Sequence, residues 1–79
     1  MKEIVLSAKD VDVLMRQIRG EIDGWMVSDE ERDIIIKIVN DAEALMAELD
    51  AYDELGQSLM AWYYRKYREQ QAAKAKTAR

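Results

Sequence analysis

Carboxylates at helical spacing are the first candidates for chemistry in this chain. Asp29 with Asp33, and Asp50 with Asp53 and Glu54, stand three or four residues apart. That spacing sets side chains on one helix face, where they could share a cation or divide the roles of acid and base. The rest of the inventory argues against catalysis. The chain has no Cys and no His, so thiolate nucleophiles, imidazole acid-base steps, zinc fingers and the Glu-x-x-His ligands of di-iron bundles are out of reach. No serine sits in a nucleophile-elbow context, and the chain has neither a glycine-rich phosphate loop nor an EF-hand loop. The carboxylates therefore read as helix-start residues, where free amides and the helix dipole favour negative charge. The expectation is a protein that is not an enzyme and uses no metal or cofactor.

A second cluster carries binding chemistry. Trp62-Tyr63-Tyr64-Arg65-Lys66-Tyr67-Arg68 interleaves aromatic rings with cations, a mixture able to stack bases and hold phosphates. Helical phase divides it. Leu59, Trp62, Tyr63 and Tyr67 share one face as core or interface, while Arg65, Lys66 and Arg68 point elsewhere. The expected protein-contact face is Leu55, Leu59, Trp62, Tyr63 and Tyr67, with Arg65 and Arg68 at its polar rim. Trp25 and Met26 are a secondary candidate. They either plug the end of a helical hairpin over Leu14, Ile18 and Ile38 or, left exposed, anchor an interface.

Charge is unevenly spread. The net charge of −4 combines 6 basic and 15 acidic residues in 1–64 with 6 basic and 1 acidic in 65–79, so −9 is followed by +5. This layout supports three expectations. The acidic middle and basic end could be solvated faces, could meet in an antiparallel dimer or partner complex, or could serve nucleic-acid biology. In that last case the basic end contacts nucleic acid, or the acidic belt imitates it and inhibits a nucleic-acid enzyme.

The elements that must position these groups are helices, since the 79 residues include no Pro and only three Gly. Ser7 with Asp10 resembles a capping box, and Val11, Leu14, Ile18, Ile22 and Trp25 then recur at helical spacing. Gly20 falls inside that pattern, and the helix is expected to stop near Asp23-Gly24. Residues 1–6 read as a short extended segment docking on the core, and 72–79 as a fraying basic helix end or a basic flexible tail.

Ser28-Asp29-Glu30-Glu31 marks a second helix start. From there Ile35, Ile38, Ala42, Leu45, Leu49, Tyr52, Gly56, Leu59 and Tyr63 alternate strictly at three and four. The unbroken heptad predicts one helix from Asp29 to about Gln71, roughly 65 Å long, whose far half the short first helix cannot reach. A second chain would then cover it. The leading expectation is an all-α helical hairpin packed as a homodimer. The alternative is a three-helix bundle within one chain, turning near Asp50 to Asp53.

At 49% hydrophobic and 35% charged, the chain reads as one small domain, too short for two cores. No run of about 18 apolar residues suggests a membrane span, and the N-terminus is too short and acidic for a signal peptide. The default address is cytoplasmic. Function is expected as a non-catalytic protein-protein interaction module, such as an adaptor, regulator or inhibitor.

Overall fold

A computed structural model describes residues 3–22, 27–54, 56 and 58–77. Among them the chain is all-helical: α1 (Ala8–Ile18), α2 (Asp29–Leu49), a 3₁₀ turn (Tyr52–Glu54) and α3 (Leu59–Thr77). The arrangement is that of a three-helix bundle within one chain.

Local chemistry sets each boundary. At the start of α1, Ser7 Oγ accepts from the Asp10 amide at 3.1 Å and the Asp10 carboxylate accepts from the Ser7 amide at 3.0 Å. Ser28 and Glu31 repeat this reciprocal cap at α2, with distances of 3.2 and 3.3 Å. These caps follow the sequence reading. The end of α1 does not. The Gly20 amide donates to the Gln17 carbonyl at 3.1 Å and the Glu21 amide to the Arg16 carbonyl at 2.9 Å. Gly20, at φ +74, is therefore the left-handed residue of a Schellman stop. The helix ends at Ile18, because a glycine that can adopt this conformation just after an apolar turn closes the free carbonyls.

The same motif overturns the long helix. The Asp50 amide donates to the Ala47 carbonyl at 3.2 Å and the Ala51 amide to the Met46 carbonyl at 3.1 Å, with Asp50 left-handed at φ 49. This is a second Schellman stop, made without glycine. Met46 and Ala51, the pair such a motif brings together, are both buried. Ser58 then opens α3, its Oγ accepting from the Ala61 amide at 3.0 Å. The heptad runs on in the sequence while the backbone reverses, so Tyr52 and Gly56 leave the apolar stripe for the surface.

That reversal removes the premise for a dimer of rods. Met60, Trp62 and Tyr63 are covered by their own chain, in one core with Leu14, Ile38, Ala42, Leu45, Met46 and Ala51. The molecule measures 41 × 30 × 19 Å, with no room for a helix of about 65 Å. Ile4 joins the core from the N-terminal side, its amide donating to Gln70 Oε1 at 2.7 Å, while Glu3 pairs with Lys74. Three ion pairs tie α1 to α2: Lys37 to Asp10 at 3.1 Å, Arg16 to Glu31 at 2.5 Å and Lys9 to Glu30 at 3.5 Å. Residues 72–77, expected as a helix end or a tail, continue α3 as helix.

No helix among the described residues is long and apolar enough to cross a membrane.

Candidate interaction surface

The aromatic face expected for a partner is divided between core and surface. Trp62 and Tyr63 keep only 3% and 2% of their surface, so neither offers a face to another molecule in this fold. Burial pushes the Tyr63 phenol up to about 12, helped by the negative charges of Asp41 and Asp10. Tyr67 is half-buried against the core and stacks at a tilt on Tyr64, with ring centroids 6.3 Å apart. Leu59 is half-buried and lines a surface cleft. Leu55, Trp25 and Met26 lie outside the described residues.

The expected rim cations do reach the surface. Arg65 stands 4.0 Å from Glu54, and Arg68 donates to the Tyr64 hydroxyl at 3.3 Å. Lys66 behaves differently. It lies against the Trp62 ring, 5.8 Å from its centroid, and is held by Glu54 at 3.3 Å and Glu69 at 3.6 Å. Among the described residues the Trp62 indole N–H beneath has no hydrogen-bond partner, and neither does the buried Gln17 Oε1.

The carboxylates sort into two populations. Those of α1, of the first turn of α2 and of the 3₁₀ turn mostly meet cations. Glu31 is held below its usual range by the Arg16 hydrogen bond and by Ser28, and Arg16 is raised in turn by Glu31. Burial raises Asp10, but Ser7 and Lys37 outweigh it and the net shift is downward. By contrast Asp29, Asp33, Asp41, Glu43, Glu48, Asp50 and Asp53 make no ion pair among the described residues. All of them sit on α2 or just after it. No three described Asp or Glu residues come together as a metal-binding group, so the Asp29–Asp33 and Asp50–Asp53–Glu54 spacings build no such site.

Sequence reasoning missed the surface that these groups decorate. Asp29, Asp33, Ile36, Asn40, Glu43 and Ala47 recur at four, three, four, three and four, and every one is exposed. They form a second heptad stripe on α2, on the side away from Ile38, Ala42 and Leu45. Ile36, at 51% exposure, stands in its middle. Toward the C-terminal end Glu43 also borders an open cleft of about 370 Å³, lined besides by Met46, Tyr52 and Leu59. Tyr52 is 63% exposed there. The signal was present in the sequence as an apolar residue inside a polar heptad, overshadowed by the stronger stripe beside it.

Comparison with protein-family models, with curated proteins and with solved structures finds no match to this chain.

Proposed function

We propose that this chain is a non-catalytic protein-binding module that receives a cationic, amphipathic helix along the outer face of α2 and in the Met46–Tyr52–Leu59 cleft beside it. One observation carries the reading. A helix already packed on one side presents a second heptad stripe to solvent, with carboxylates that make no ion pair among the described residues around an exposed isoleucine. Exposed like charges on one helix repel each other mildly, and a cationic partner relieves that repulsion while covering Ile36 and Tyr52. Charge would then set orientation and encounter rate, and the apolar groups would supply the contact.

The test uses a synthetic helix with leucines on one stripe and lysines flanking it. Saturable binding is expected, weakened at high salt and reduced at least about tenfold by combining Ile36→Glu with Glu43→Lys. Lys37→Ala, on the flank facing Asp10, serves as the control. Equal binding to the substituted chain would end the proposal.

A second reading has its own observation. Arg65, Arg68 and Lys76 face solvent on α3, as a nucleic-acid accessory protein requires. Retardation of short RNA or DNA that weakens steeply with salt, and is lost in Arg65→Ala with Arg68→Ala, would support it.

A further inference from the structure

We infer that the helix received by the outer face of α2 is α3 of a second copy of this chain. The inference rests on the binding surface proposed above and names its occupant. Ala61, Arg65, Arg68, Ala72 and Ala75 recur on α3 at four, three, four and three, and form its outward stripe. Ala61 is half-buried and the other four are exposed.

The two stripes are complementary at each position that matters. α2 supplies carboxylates around one large apolar side chain, whereas α3 supplies cations among alanines. Laid antiparallel with Ile36 over Ala72, the heptads bring Asn40 to Arg68, Glu43 to Arg65 and Ala47 to Ala61. Large then meets small and negative meets positive, with no like charges opposed. The antiparallel sense also sets the helix dipoles against each other favourably, and it places Asp29 and Asp33 at the start of α2 beside Lys76 at the end of α3.

These cations have little to satisfy them at home. Arg65 is 4.0 Å from its nearest carboxylate partner, Arg68 contacts a neutral hydroxyl, and Lys76 is in no ion pair among the described residues. The association belongs to the small, polar, salt-sensitive class of interfaces.

Sedimentation equilibrium of the full chain tests it. The expected result is a reversible dimer at low salt whose dissociation constant rises at least about tenfold at high salt. Glu43→Arg and Arg65→Glu should each dissociate it, and the two together should restore it. Both positions are exposed, so circular dichroism should show the helices intact in all three variants. A chain that stays monomeric at every concentration and salt overturns the inference, as does a dimer that ignores Glu43→Arg. If that monomer still captures the synthetic cationic helix through α2, the binding-module reading stands and only the identity of its partner falls.

Discussion

Asp10 is the charged side chain that the described core buries, and it does two jobs there. It closes the cap of α1 and receives Lys37 of α2. Because its pKa lies below the ordinary 3.8 in the folded chain, the fold prefers the ionised form. The stability this contributes is present above the unfolded value and is lost as pH falls through the folded one. Glu31, also lowered, adds to the same acid-side loss. Asp10→Asn should therefore cost about 1 to 2 kcal/mol in urea unfolding at neutral pH and flatten the decline between about pH 5 and about pH 2. Tyr63 works at the opposite end. Its phenol, raised to about 12, holds stability that is complete below the ordinary 10 and fades as pH climbs toward the folded value. Absorbance titration should show one tyrosine ionising late, and Tyr63→Phe should remove that late step. Trp62 presents a different balance, since its buried indole N–H has no partner among the described residues. Trp62→Phe removes that unmet donor along with some volume. It should cost well under the roughly 3 to 5 kcal/mol expected of Trp62→Ala in thermal unfolding.

Two left-handed residues decide how many helices the chain makes. Gly20 adopts φ +74 without strain, and a Cβ there would meet no atom within 4 Å, so Gly20→Ala tests backbone conformation alone. A loss of about 1 kcal/mol is expected in chemical denaturation. Asp50 adopts φ 49 as a non-glycine residue, which aspartate tolerates better than most. Asp50→Gly should raise stability by up to about 1 kcal/mol, and Asp50→Val should lower it by more, since a β-branched side chain resists this conformation. The capping boxes at Ser7 and Ser28 were legible because a serine and an acid three residues on satisfy two free amides together. The stop at Asp50 stayed half hidden, legible only as the alternative turn near Asp50 to Asp53, because its motif is marked by backbone geometry and not by a glycine. The start at Ser58 was hidden too, since its N3 position is Ala61 and supplies no reciprocal acid.

Across the whole molecule, the charge imbalance seen along the chain becomes a division between helices. α1 spends its cations on Asp12 and on α2, the outer side of α2 stays acidic, and the outer side of α3 stays basic. The last two turns of α3 add little to the core, their described residues being exposed apart from the Lys74 link to Glu3. In hydrogen exchange, amides of Ala72 to Lys76 should lose protection early, while those of Ile38 to Met46, between two packed helices, should persist to the global unfolding limit. Rapid exchange throughout α2 would contradict the assigned core.

Composition and spacing alone determined that the chain is helical, where two of its helices begin, that Ile38, Ala42 and Leu45 face inward, and that cysteine and histidine chemistry is absent. Those features follow from interactions within about one turn, or from which side chains exist at all. Tertiary structure decided that the backbone turns at Asp50, that Trp62 and Tyr63 are covered by their own chain, and that the outer sides of α2 and α3 stay exposed. A heptad repeats identically in a long rod and in two antiparallel helices. The choice falls to contacts between residues far apart in sequence, such as Leu14 and Ile38 meeting Trp62 and Tyr63 in one core.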